Sequence, residues 1–182
     1  DGTKIHANAS RHSALSYEHA VKLEAKLKAE VRELFALAEA ADQTAVADGM
    51  SVPEEISRRE DQIKAIVHAK TQIEGRSRER YDREKAQFDA KMADRKARED
   101  ETGKKTGGKK PAPPTDTPGP SDQVNLTDDE SRIMKVAGGG FEQCYNAQAV
   151  VDSESMLVLV PYVTQAVNDK QQIEPALARI EA

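Results

Sequence analysis

The chain has 182 residues, with 27 Lys+Arg against 32 Asp+Glu for a formal charge of −5. Hydrophobic residues make up 37% and aromatics 4%, below the roughly 45–50% apolar content of ordinary globular domains, so much of the chain is too poor in large apolar side chains to offset its own ordering entropy. No apolar run nears the roughly 18 residues of a membrane helix, the opening Asp1-Gly2-Thr3 does not read as a signal peptide, and the lone Cys144 excludes a disulfide framework or a Cys-rich zinc site.

The first ten residues are short and polar, with β-compatible Thr3 and Ile5, and read as the end of a strand entering a loop. A helix is expected from Ser13 or Ser16, because Leu23, Leu27, Val31, Leu34 and Ala38 recur at spacings of three and four. Asp42 to Met50, with Gly49, should break it. Ser51 and Glu54 then spell a capping box with Pro53 in the first turn. Behind that cap, Ile56, Ile63, Ile66, Ile73, Tyr81, Phe88 and Met92 form a sparse apolar stripe. This predicts one helix of about 45 residues, up to roughly 65 Å at 1.5 Å per residue, or two broken near Gly75. Residues 13–100 therefore read as a charged antiparallel helical hairpin projecting from a main body. Residues 54–110 hold 17 Lys+Arg and 13 Asp+Glu, a net of +4, between acidic flanks.

From Gly103 to Gln123 the sequence collapses into Lys, Gly, Pro and Thr, the composition of a disordered or polyproline-like linker over residues 101–125. Thr127 with Glu130 predicts a second capping box and a short helical turn through Met134. Phe141–Val151 reads as a strand, Asp152 to Ser155 as a turn, and Met156–Val163 as a second strand. Asn168 or Asp169 should cap a last helix whose Ile173, Leu177 and Ile180 share a face. A two-stranded hairpin is marginal alone, so these strands call for further partners.

Several motifs reduce to structure. The stretch Gly103 to Lys110 nearly spells a P-loop, but Lys110 stands where Ser or Thr should hold magnesium, and prolines follow instead of a helix. The histidines His6, His12, His19 and His68 lack metal-ligand spacing. Cys144, in a predicted strand with no His nearby in sequence, reads as a small buried hydrophobe. Asn8 and Asn125 sit in glycosylation sequons without any sign of secretion. Asp128-Asp129-Glu130 cannot converge on one ion, because neighbouring side chains point apart; a helix start explains them better.

Three stretches, taken in order, resemble one family. They are Asp1 to Ser10 (Asp-Gly-Thr-Lys-Ile-His-Ala-Asn-Ala-Ser), Leu126 to Lys135 (Leu-Thr-Asp-Asp-Glu-Ser-Arg-Ile-Met-Lys), and Gly140 to Asp152 (Gly-Phe-Glu-Gln-Cys-Tyr-Asn-Ala-Gln-Ala-Val-Val-Asp), continued by Val163-Thr164-Gln165 and Asn168-Asp169-Lys170. The chain is similar to bacterial insertion-sequence transposases of the DDE type, in the IS1182-like branch of the IS4/IS5 group. Family members often carry Gly where Cys144 stands. The resemblance implies an α/β, partial RNase H-like fold. Residues 1–12 would be its first strand and 126–182 its second and third strands with the following helix. The helical insertion (13–100) and the linker (101–125) would interrupt it.

What the resemblance further implies is metal-dependent DNA strand cleavage and transfer, with Asp1 as the first of three catalytic carboxylates and a metal ligand. Two Mg²⁺ ions would activate the nucleophile and stabilise the leaving oxygen. The second Asp and the final Glu would follow beyond Ala182. Asp152 and Asp169 read as a turn acid and a helix cap. The chain does not begin with Met, so an internal segment, inactive alone, is expected. DNA (transposon ends and target) would be the partner, with a homo-oligomer as a further one and no membrane. The setting would be the bacterial cytoplasm, near the nucleoid. The rival reading is a non-enzymatic helical interaction or DNA-binding module.

Overall fold

The computed structural model describes residues 2–41 and 51–180; Asp1 and the break expected over Asp42–Met50 lie outside them. In chain order the elements are β1 (Gly2–His6), a 3₁₀ turn (Arg11–Ser13), β2 (Ala14–Ser16), α1 (Tyr17–Ala41), α2 (Val52–Thr102), β3 (Gln123–Asn125), β4 (Arg132–Lys135), β5 (Phe141–Val151), β6 (Val158–Thr164) and α3 (Ile173–Ile180). The architecture is mixed α/β, with one long helix and two antiparallel sheets. No helix among the described residues is long and apolar enough to cross a membrane.

β5 is the hub of the larger sheet. β1 pairs with it antiparallel from Gly2↔Gln148 to His6↔Cys144. β4 (Arg132↔Cys144 to Lys135↔Phe141) and β6 (Asn146↔Thr164 onward) lie end to end along its other edge. The β4–β5 connection corrects the sequence expectation of a helical turn through Met134. Gly138, Gly139 and Gly140 take φ of 90, 91 and 96°, a region glycine alone enters cheaply, and Val136 N donates to Gly140 O at 3.3 Å. That turn reverses the chain into a hairpin.

Asn125 and Asp128, rather than the expected Thr127–Glu130 capping box, order the loop before β4. Asn125 Oδ1 accepts from the Thr127 and Asp128 amides at 2.9 and 3.3 Å. Asp128 Oδ1 accepts from the Ser131 amide at 3.1 Å. Such side-chain turns compete with helix, and here they win, so the acids 128–130 decorate a loop rather than a helix dipole.

α1 and α2 pack antiparallel. Tyr17 donates to Glu74 (2.7 Å), Lys70 pairs with Glu24 (2.8 Å) and Arg59 with Glu30 (2.9 Å), so partners advance along one helix as they retreat along the other. Between them lies the apolar core: Leu15, Ala20, Leu27, Ile66, Ala69, Ile73 and Val124. Leu15 and Val124 belong to β2 and β3, which pair antiparallel from Ala14↔Asn125 to Ser16↔Gln123. The small ladder thus closes the base of the hairpin. α2 runs 51 residues without a break at Gly75, about 77 Å at 1.5 Å per residue. Ser51 flanks it but makes no side-chain capping bond, so the expected capping box is absent. Pro53 and the acidic Glu54 and Glu55 occupy the first turn instead, favourable positions for a missing N–H and for the helix dipole.

Gly103 ends α2 in the left-handed conformation (φ 65°), its N–H donating to Glu99 O at 2.9 Å. The glycine of the near-P-loop is therefore a helix stop. The first two residues of the expected linker (101–125) still belong to α2, and past Gly103 it holds neither helix nor strand until β3. It returns along α2, tied by Arg95 to the Thr106 carbonyl, by Ser77 Oγ to Asp116 O (3.4 Å) and by Arg80 to Asp122 (2.8 Å).

Candidate functional site

Asp1, the residue assigned catalytic and metal-binding roles by resemblance, is outside the described residues. Its neighbour Gly2 opens β1 opposite Gln148 of β5, and a polar cluster is built over that pair. Asn146 and Gln148 alternate along β5, so both side chains leave the same face of the sheet. Asn146 is 0% exposed and Gln148 8%. Their amides converge on Asp169 Oδ1, at 2.8 Å from Asn146 Nδ2 and 2.5 Å from Gln148 Nε2. Asn146 also donates to Ala166 O (3.0 Å) and accepts from Gln148 (2.9 Å), so the buried amides are satisfied. Lys4 Nζ stands 3.9 Å from the same carboxylate oxygen. The donated hydrogen bonds, Asn146 first and Gln148 next, with the Lys4 charge behind them, hold the Asp169 carboxyl below its ordinary value.

Space at this point is so tight that a Cβ on Gly2 would meet Gln148 Nε2 at 2.1 Å and Asp169 Oδ1 at 2.6 Å. A side chain at position 2 would have to push the ends of Gln148 and Asp169 aside, and it is this space, not a positive φ, that favours glycine there. Asp169 does not cap the last helix, as the sequence suggested. α3 starts at Ile173, and the Asp169 carboxylate is drawn onto β5 by two amide donors that outcompete a helix end. Asp152 does sit in a turn, accepting from the Ser155 amide (2.9 Å) and hydroxyl (2.5 Å).

The described residues do not fit a two-magnesium site. Such a site needs several convergent carboxylates, and among the described residues no group of three His, Cys, Asp or Glu side chains could hold a metal ion. Asp169 Oδ1 is already committed to amide donors. Cys144 is fully buried, with its thiol pushed up by burial first, as expected of a structural cysteine. Asn125 is 1% exposed, and its amide donates to Ser10 O at 2.7 Å, so in the folded chain that side chain serves as a structural brace.

Sequence reasoning missed a second assembly. A cleft of about 1040 Å³ separates α2 from β6 and the chain leading to α3, lined among others by Arg76, Arg80, Arg83, Arg132 and Tyr145. Arg76 of α2 and Arg132 of β4 both donate to the carbonyl of Asp129, Arg132 at 3.0 Å. Burial lowers the pKa of both guanidiniums; for Arg132 the repulsion from Arg76 adds to it. Tyr145 Oη donates to Asp128 at 2.7 Å. Burial, then that bond to a carboxylate, pushes its phenol up to about 12. The one sequence signal for this assembly was the Arg-rich face of α2, which reads equally as a solvated helix. No family model, curated protein or solved structure matches the chain.

Proposed function

We propose that the chain is a segment of a DDE-type insertion-sequence transposase, with its β1, β5, β6 and α3 forming part of an RNase H-like core. One observation carries the reading. The strand that follows Asp1 pairs antiparallel with β5, which pairs antiparallel in turn with β6, the neighbours required if these are the first, second and third strands. The Asp169–Asn146–Gln148 cluster over Gly2 gives the reading a second support: it braces the chain one residue from Asp1.

Asp1 would supply one magnesium ligand, and the two other carboxylates would come from sequence following Ala182. Because the described residues do not make the metal site, no step of strand cleavage is assigned to them. In the parent protein, Asp1→Ala should abolish Mg²⁺-dependent cleavage at transposon ends while leaving end binding intact. Cleavage at the parent's rate in that variant would remove Asp1 from the active site and the reading with it.

The helical insertion suits a DNA-contacting arm within the same protein, favoured by the net +4 over residues 54–110. Weak duplex binding that falls steeply with salt is expected. Fluorescence anisotropy at two salt concentrations tests it, and no binding at low salt would exclude the arm.

A further inference from the structure

We propose that Arg76 and Arg132 form an oxyanion site that takes one phosphate group where the long helix meets the sheet. The proposal does not rest on the transposase reading. Two guanidiniums, one from α2 and one from β4, are drawn onto a single carbonyl, that of Asp129. Their other acceptors are neutral as well: Gln123 O for Arg76 (3.5 Å), and Glu130 O (2.7 Å), Ser131 O (2.8 Å) and Gln165 Oε1 (2.6 Å) for Arg132. Among the described residues, no carboxylate forms an ion pair with either.

Asp129 and Glu79 act on the Arg76 charge, and Asp129 and Glu130 on that of Arg132, through space only, and two further carboxylates are engaged elsewhere. Asp122 is paired with Arg80 at 2.8 Å and Asp128 accepts from Tyr145 at 2.7 Å. Two like charges brought together and partly desolvated cost free energy that an anion between them would offset. Each guanidinium has five N–H donors in a planar fork suited to phosphate oxygens, and these contacts do not exhaust them. The adjoining cleft, about 1040 Å³, is ample for the group. Glu79 and Glu130 also line it, so its field is not uniformly positive. A single phosphate held at the arginine pair fits that arrangement; a long polyanion tracking the whole cleft does not.

The phosphate could be inorganic or part of a nucleic-acid strand, and the test separates the two. Sodium phosphate titrated into the full chain at low ionic strength should bind saturably and raise the unfolding temperature with concentration, whereas chloride at matched ionic strength should not. Arg76→Gln should weaken binding about tenfold or more. Arg98→Gln, which removes the same charge from an exposed part of α2 outside the cleft, should change it less than about twofold. Arg132 holds three carbonyls, so its replacement can disturb folding; Arg76→Lys serves as the second variant, keeping charge but losing the fork and still weakening binding. A short duplex that displaces phosphate, with displacement impaired by Arg76→Gln, identifies a strand phosphate. Phosphate binding that duplex leaves untouched identifies the free ion. The site is overturned if phosphate neither binds saturably nor stabilises the chain, or if Arg98→Gln weakens binding as much as Arg76→Gln.

Discussion

Arg80 Nη2 of α2 lies 2.8 Å from Asp122 Oδ2, and the other oxygen of that carboxylate is 3.3 Å from Arg80 Nη1. This forked contact pins the chain entering β3 to the helix, and Gly119 N adds a third donor at 2.9 Å. The Asp122 carboxyl is held below its ordinary value, by Arg80 first and by the Gly119 amide against the cost of burial. Its folded pKa is therefore below its unfolded one, so its contribution is present above the ordinary carboxylate range and disappears as pH falls through the folded value. Asp122→Asn should cost about 1 kcal/mol at neutral pH. Urea unfolding should show that difference shrinking toward zero in strong acid; a difference independent of pH would contradict the assignment.

The middle of α2 offers paired substitutions of opposite sign. Gly75 is exposed, and an added Cβ meets nothing within 4 Å. Gly75→Ala should therefore stabilise the chain by roughly 0.5–1 kcal/mol through helix propensity. Two residues earlier, Ile73 is 2% exposed in the helical core. Ile73→Ala should cost about 2–5 kcal/mol. Both are read by chemical denaturation followed by helical circular dichroism.

Crowding over Gly2 makes a separate prediction. Gly2→Ala puts a methyl group into Gln148 and Asp169 and should destabilise by about 1–3 kcal/mol. Asp169→Ala takes an acceptor from both amides, which keep Ala166 O and each other, so a smaller loss of about 1–2 kcal/mol is expected. Amide exchange should quicken along β1 and the facing part of β5 in both variants, while the α1–α2 pair stays protected. Unaltered exchange in β1 would argue against the cluster bracing it.

Tyrosine ionisation gives an optical check. Tyr145 should ionise near pH 12, well after an ordinary tyrosine at about 10. Because its folded pKa is raised, its contribution is present below the unfolded value and is lost as pH rises through the folded one. In an absorbance titration of the phenolate, Tyr145→Phe should delete the latest phase and leave the earlier ones in place.

The sequence was most readable where one period or one breaker dominates. β5 occupies the span its β-rich composition suggested, Phe141–Val151. Pro53 marks the start of α2 because its missing N–H belongs in a first turn. Gly75 left one helix or two open, and the helix continues because a lone exposed glycine costs only about 1 kcal/mol. Residues 126–135 read as a helical turn because Thr127 and Glu130 spell a capping box, but Asn125 and Asp128 supply the acceptors of a loop turn there, and the deciding fact is the glycine hairpin beyond. The amides of Asn146 and Gln148 passed as strand filler. Polar side chains at i and i+2 in a strand share a face, and that alternation was the available signal for a buried acceptor above them. Asp129's carbonyl as the meeting point of Arg76 and Arg132 had no sequence signature, since it depends on how a distant helix docks.

The register of the short β2–β3 ladder carries a last consequence. Ser16 and Gln123 face each other across it, so the excursion between them departs and returns through one narrow neck. A graft at that neck disturbs no strand of the larger sheet, and another helical pair could be exchanged for this one, provided it brought an oily lid for Leu15 and Val124. The length of what rises above that neck is thereby uncoupled from the strand pairing beneath it.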